Sequence, residues 1–340
     1  MMSLNSKAND SGLAKQKGSK ASLLDKINPL IIVIVFLYVG ITLLSDRFLD
    51  IGNQMNILRQ VAVYLIIALG MTFVIASRGI DLSVGSSLGL CAMVLGTLIE
   101  AGTPVAIAMV VVVGLGTLIG AFNGLVITRF RINPLIVTLG MLVALRGATH
   151  FFMGGSIIRM PESLRFIGQG FIGFVPVPAI IALVATAFAY WLFFHTRFGR
   201  HTVSIGSNED ACQVLGIHVN RHKVAVYAFQ GACVGLAAAI IVGRLNAASP
   251  SLGNLYELHI IAAVVLGGTA LYGGVGTIGG TLLGILTIGI LENGMVLIGA
   301  DFHLQRVLLG FLLIFAVAYQ EHRRRVIDTR AFSRIREAEE

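Results

Sequence analysis

The groups able to do chemistry in this chain are few, and they sit in apolar surroundings. Asp81, Arg146, Glu257, His259 and Glu292 each lie within or at the edge of a hydrophobic stretch. Charges removed from water are costly, so such residues mark ion paths, proton relays, solute contacts or polar helix packing. Most of them fall near expected helix ends, which is poor geometry for a relay. Asp81 stands in "SRGIDLSVGS" (77–86), between the apolar run that ends at Ala76 and the one that reaches Ile99. Directly ahead of Leu82 and Ser83, its carboxylate can accept from free N–H groups of a helix start and can pair with Arg78. A hinge fastening of this kind, or a gate that moves with a partner, makes Arg78, Gly79, Asp81, Ser83 and Gly85 the structural or gating candidates. Glu292 and Asn293, in "ILENGMVLIG", offer a helix-packing hydrogen bond or a polar contact lining a solute path.

Enzyme signatures are absent from the sequence. There is no H-E-x-x-H, no Ser–His–Asp or paired-carboxylate arrangement and no G-x-x-x-x-G-K-[ST] phosphate loop. Cys91, Cys212 and Cys233 form neither a disulfide frame nor a metal motif and read as small apolar filler. The chain reads as a non-enzyme with no cofactor of its own. The Gly-rich stretch "AAVVLGGTALYGGVGTIGGTLLG" (262–284) has no Lys for a phosphate and reads as a break or a tight packing site.

The polar stretch "SNEDACQVLGI" predicts a short amphipathic helix. Asn208 can cap it, Glu209 and Asp210 suit its positive end, Ala211 continues it, and Gly216 can end it. Two helical turns alone are marginal in water. Docked in a groove of another protein, with Val214 and Leu215 as anchors, such a helix becomes stable; the alternative is an ordinary solvated loop helix.

These residues need elements to hold them, and composition says which. Of 340 residues, 56% are hydrophobic and 12% charged, against about 25% charged in soluble domains. Continuous apolar runs, with no alternation, exclude a membrane β-barrel and leave helices whose backbone bonds are internal. The fold class expected is all-α: a polytopic membrane protein of about ten transmembrane helices, some short or broken. They fall near 28–45, 57–77, 82–99, 103–127, 134–152, 178–195, 223–243, 257–271, 276–298 and 303–320. The forty glycines fit close helix packing. "SVGSSLGL" (83–90) faintly echoes "TIGGTLLG" (277–284), a pattern that internal repeats would produce.

Net charge is +8. The basic residues cluster in tails and short loops, as topology signals do, and do not indicate nucleic acid. Orientation by charge puts Arg78, Arg129, Arg131, Arg197, Arg200, Arg221 and Lys223 on the inner side with both termini. Residues 1–26 read as a disordered cytoplasmic tail, 27–320 as the membrane domain with an inner loop at 196–222, and 321–340 as a basic cytoplasmic tail. No small-residue cleavage site follows the first apolar run, which reads as a retained helix. The outer connection 153–177 reads as a short structured cap.

"GIDLSVGS" (79–86), "GSNEDACQVLGIHV" (206–219) and "ELHIIAAVVLGGTALYGGVGTIGGTLLG" (257–284) together resemble the ribose-type ABC sugar permeases, over about residues 28–320 and in the family's order. The resemblance implies an inner-membrane subunit of a bacterial sugar importer, usually paired with a second copy of itself. It implies a cytoplasmic ATPase that binds ATP and Mg, a periplasmic sugar-binding protein, and a sugar or sugar alcohol as solute, with membrane lipid around the bundle. It also implies that Glu209, Asp210, Ala211 and Gly216 carry a coupling helix that docks on the ATPase. Related importers often begin that motif Glu-Ala-Ala; here it is Glu-Asp-Ala. The rival readings are an ion-coupled secondary sugar carrier and, lacking a polar catalytic cluster, a membrane-embedded enzyme.

Overall fold

In the computed structural model, residues 29–153, 157–301, 303–318 and 321 are described. The expected tail at 1–26 and almost all of the one at 321–340 lie outside the described residues. The elements in chain order are α1 (Pro29–Leu44), α2 (Ile51–Ala76), α3 (Val84–Glu100), α4 (Val105–Phe130), α5 (Pro134–Met153), α6 (Glu162–Gln169), α7 (Val177–His195), α8 (Arg197–Ser207), α9 (Glu209–Val214), α10 (Val219–Leu245), α11 (Tyr256–Leu266) and α12 (Ile278–Leu297). A last helix, α13, covers His303–Ala318. Two small antiparallel ribbons pair β1 (Ile158–Arg159) with β4 (Ala247–Ala248) and β2 (Phe171–Ile172) with β3 (Val175–Pro176). With α6, β1, β2 and β3 give the described part of the expected cap, residues 157–177, short regular elements.

Among the described residues, α2, α4, α5, α7, α10 and α12 are long and apolar enough to cross a membrane; α1, α3, α11 and α13 are shorter apolar helices. The chain is a multi-pass helical membrane protein. α2 is its axis: every residue from Val61 to Ala76 is buried, as a helix apolar all round must be. Facing outward, Val110, Leu118, Phe122 and Phe130 of α4 and Phe311, Ile314 and Phe315 of α13 are exposed. Lipid tails are as apolar as these side chains, so exposure there costs little.

What joins the helices is close backbone approach. Gly116, Gly120 and Gly124 of α4 recur every fourth residue; Gly116 faces Gly231 and Gly235 of α10, Gly120 faces Tyr227 and Gly231, and Gly124 faces Val224 and Tyr227. A Cβ at Gly116 would lie 2.3 Å from the Gly231 carbonyl oxygen, and one at Gly120 2.0 Å from that of Tyr227. This is the small-xxx-small packing of membrane helices.

Two expectations are corrected. The helix expected over 257–271 stops at Leu266, and 267–277 is an irregular turn with Gly268, Gly273 and Gly274 at positive φ, where only glycine is unstrained. α2 starts at Ile51 and not near 57, because its polar first turn is satisfied: the Asn53 and Gln54 amides donate to the Phe48 carbonyl. Within the inner loop read at 196–222, residues 197–207 form a helix, α8. Thr196 caps it, its hydroxyl accepting from the Phe198 N–H at 3.1 Å.

Candidate functional site

One end of the bundle holds Arg78, Arg129, Arg131, Arg197, Arg200, Arg221 and Lys223, and the other holds Arg47, Arg59, Arg159, Arg165, Arg244 and Arg306. The first, the basic end, holds the end of α4, the start of α10, helices α8 and α9, and the turns 77–83 and 267–277. Asn208 is the N-cap of α9, its side-chain oxygen accepting from the Ala211 N–H at 2.9 Å. The helix ends at Leu215, and Gly216 takes φ 81°. Beneath it, Cys212 packs with Ile205 and Val219 in a small apolar cluster. Lys223 Nζ lies 2.5 Å from Glu209 Oε2 and ties α9 to the first turns of α10. Asp210 lines a groove of about 950 Å³ together with Glu209, Arg78, Arg131, Arg221 and Lys223. Val214 and Leu215 point away from the bundle, 89% and 78% exposed.

The turn 77–83 lies beside this groove. Arg78 takes φ 65° and is exposed toward it. The pairing with Asp81 that the sequence allowed is not formed among the described residues, because the backbone turn separates the two side chains. Asp81 is buried, 3% exposed. Its Oδ1 accepts from the Ser83 N–H at 2.9 Å and the Ser83 hydroxyl at 2.6 Å. The Asn123 amide of α4 donates to the same hydroxyl at 2.9 Å. Since Asn123 precedes the end of α4 by seven residues, the carboxylate lies about 10 Å inside that end at the helical rise. Gly79 is held close: a Cβ there would meet the Tyr227 hydroxyl at 2.6 Å. That hydroxyl donates to the Ile80 carbonyl at 3.1 Å. Gly85 lets α3 press on the chain near Gly253, whose carbonyl oxygen would be 2.3 Å from a Cβ.

At the opposite end, Glu292 is held between two helices. Gln60 of α2 donates to its Oε2 at 2.7 Å, and His259 Nε2 of α11 lies 2.5 Å from its Oε1. Asn293 exchanges amide hydrogen bonds with Asn53, at 3.0 and 2.8 Å. The sequence singled out Glu292 and His259 separately but did not join them, because they lie on different helices. Gln60, Tyr64 and Asn123 went unnoticed, and Lys223 was read only as an inner-side charge: a single amide, phenol or amine in an apolar run carries no spacing signal. α8 did carry one, with Phe198, Thr202 and Ile205 at helical intervals.

With the three quoted motifs mapped onto these turns and this helix, comparison decides what they belong to. Residues 53–317 match the family described as branched-chain amino acid transport system / permease component. The chain belongs to this permease family. The permease is 40% identical over 298 residues to the ribose import permease protein RbsC of Bacillus subtilis (strain 168), covering 87% of this chain and 92% of that one. It is 39% identical over 292 residues to RbsC of Escherichia coli (strain K12), covering 84% and 91%. It is 34% identical over 309 residues to the galactose/methyl galactoside import permease protein MglC of Escherichia coli (strain K12), covering 85% and 92%. No solved structure matches the permease at a significant level. The resemblance read from the motifs is thereby shown, and the chain is a transport component. The likeness covers both ends of the bundle, so neither the groove nor the Glu292 cluster is an appendage.

Proposed function

We propose that the permease is the membrane subunit of an ATP-driven bacterial importer of a sugar or sugar alcohol. The family description names branched-chain amino acids, but the relatives it matches over nearly their full lengths import ribose and galactose, which favours a sugar. Two copies form the pore in the inner membrane, each with the four shorter apolar helices completing a ten-helix bundle. The basic end faces the cytoplasm, following the positive-inside rule, so both termini are cytoplasmic. A periplasmic binding protein delivers solute at the other end. ATP and Mg reside on a separate ATPase.

The observation that carries this reading is α9. A six-residue helix, capped, pinned by Lys223 and bearing two outward apolar side chains beside a charged groove, is built to enter another protein. Its movement would reach the core through α8. Gly206 of α8 lies so close to the Ala76 carbonyl that a Cβ would stand 1.9 Å away, and the Gly274 N–H donates to that same carbonyl at 2.9 Å. Thus α8 touches both the end of α2 and the turn before α12. ATP-driven closure of the ATPase would push α9, shift α8, and rock α2 and α12 against the rest of the bundle. Weak solute binding suffices, since tight binding would hinder release.

The deciding experiment is sugar uptake into proteoliposomes, with and without ATP, ATPase and binding protein. Uptake that requires all three supports the proposal. Uptake that survives without them and collapses with an ion gradient establishes the ion-coupled carrier, a reading favoured only by the inward-lying His259–Glu292 pair.

A further inference from the structure

A second cavity, of about 300 Å³, opens at the end of the bundle opposite the basic groove, between α2, α11, α12 and the start of α13. Its walls are not those of a lipid-facing surface. Tyr64 and Tyr256 meet edge to face at 4.7 Å, and the His259 ring stacks beside Tyr64 at 5.8 Å with 21° between the planes. The Glu292 carboxylate and the Gln60 amide share the same lining.

Arg306 brings a cation to the rim of the same lining, and hydrogen-bond geometry sets the charge of the His259–Glu292 pair. His259 Nδ1 faces the Leu255 carbonyl oxygen at 2.8 Å. A carbonyl only accepts, so Nδ1 carries a proton. Nε2 then faces Glu292 Oε1 at 2.5 Å, a contact that requires one more proton between them. Whether that proton belongs formally to imidazole or carboxyl, the pair is neutral as a unit. Gln60 donates to the other carboxylate oxygen. The result is an aromatic wall with a few convergent polar groups and no net charge in the pair, which is the usual make-up of a small-molecule site.

Position supports the same reading. Glu292 precedes the end of α12 by five residues, about 8 Å at the helical rise. Tyr64 lies thirteen residues into α2, about 20 Å along it. The cavity therefore leads from the end that would receive solute toward the middle of the bundle. These polar groups bond one another and also line a hollow, which helix packing alone does not require.

We propose that this cavity is a solute subsite of the translocation path, taking one neutral polyhydroxylated molecule. The Gln60 amide and the remaining lone pairs of the Glu292 carboxylate exchange hydrogen bonds with its hydroxyls, His259 holds that carboxylate in place, and Tyr64 and Tyr256 cover the C–H face of a ring. The assignment rests on the import reading above and adds to it where in the chain the solute is held.

The test compares sugar moved per ATP hydrolysed by Gln60→Ala, His259→Ala and Glu292→Gln permeases assembled with ATPase and binding protein, using D-ribose, D-galactose and D-sorbitol. Loss of one hydroxyl contact, or of the His259 hold on the carboxylate, should lower the ratio roughly three- to tenfold, while stimulation of the ATPase by loaded binding protein is retained. A ratio unchanged from wild type overturns the subsite. So does a parallel fall of transport and ATPase activity, which marks a purely structural cluster. A direct readout uses unmutated permease alone in nanodiscs, by saturation-transfer NMR with the same three polyols and L-leucine as control. Transfer to polyol C–H protons, absent for L-leucine and lost in Gln60→Ala, supports the subsite. No transfer to any polyol overturns it, even if ATP-driven uptake continues and the import reading stands. Failure of ATP-driven uptake in the wild type would strike the import reading and leave the NMR result to judge the cavity.

Discussion

The Gly274 N–H donates to the Ala76 carbonyl oxygen at 2.9 Å, joining the turn between α11 and α12 to the end of α2. Gly206 of α8 packs onto the same carbonyl. One backbone oxygen thus connects the loop helices at the basic end with the two helices that run inward from them. Thr72 and Thr281, whose hydroxyls lie 2.7 Å apart, extend the same seam one turn deeper.

Gly206→Ala tests this joint. The added Cβ would stand 1.9 Å from the Ala76 oxygen and 2.5 Å from the Gly274 nitrogen, both backbone atoms that cannot swing aside. Overpacking of this kind costs about 1–3 kcal/mol. Thermal unfolding in detergent should move down, and ATPase stimulation should weaken. An unshifted melting curve with full stimulation would show that α8 does not bear on this carbonyl.

Gly231→Leu should be more damaging, because it forces apart α4 and α10. A Cβ at Gly231 already lies 2.0 Å from the Gly116 oxygen, and a leucine adds three more carbons. A loss of at least about 3 kcal/mol is expected, read as loss of folded material on size exclusion. Gly114→Leu, at a position with open space around it, should be tolerated. Equal behaviour of the two variants would remove the close-packed seam.

Glu209→Ala should separate stability from coupling. The Glu209–Lys223 pair is partly exposed, with side chains 35% and 16% accessible, so its contribution to stability is about 0–1 kcal/mol. Melting should barely change, whereas transport and ATPase stimulation fall. The exchange Glu209→Lys with Lys223→Glu should recover part of both. Leu215→Ala, at a 78% exposed position, should give the same uncoupling with no loss of stability. Normal coupling in all these variants would eliminate α9 as the docking element.

Asp81→Ala removes the acceptor of the Ser83 N–H and hydroxyl in a buried turn. Leaving such donors unpaired costs about 1–3 kcal/mol, while Asp81→Asn keeps an oxygen and should cost less. A denaturation series in which Asn is as damaging as Ala would point to the charge itself and not to the hydrogen bonds.

Much of this was legible from local pattern. Asn208 and Gly216 mark the two ends of α9 because capping depends on residues next to one another in the chain. The expected helix over 257–271 ran too long because Ala270, Leu271 and Tyr272 are apolar. Apolar character says nothing of the positive φ that Gly268 and Gly273 allow. Arg78 and Asp81 are close enough in sequence to pair, but the backbone turn at Arg78 sends the two side chains to different surroundings.

By itself the sequence determined that the chain is helical and membrane-embedded, that it holds no ATP-hydrolysing motif, and that a capped helix stands at 208–216. Those properties follow from composition and from neighbours within one or two turns. Only the tertiary structure decided that His259 reaches Glu292, that Asn123 completes the Asp81–Ser83 turn, and that Ala76, Gly206 and Gly274 share one joint. These are contacts between separate helices. Their register is set by how glycine faces and apolar surfaces pack, and no spacing within one segment encodes it.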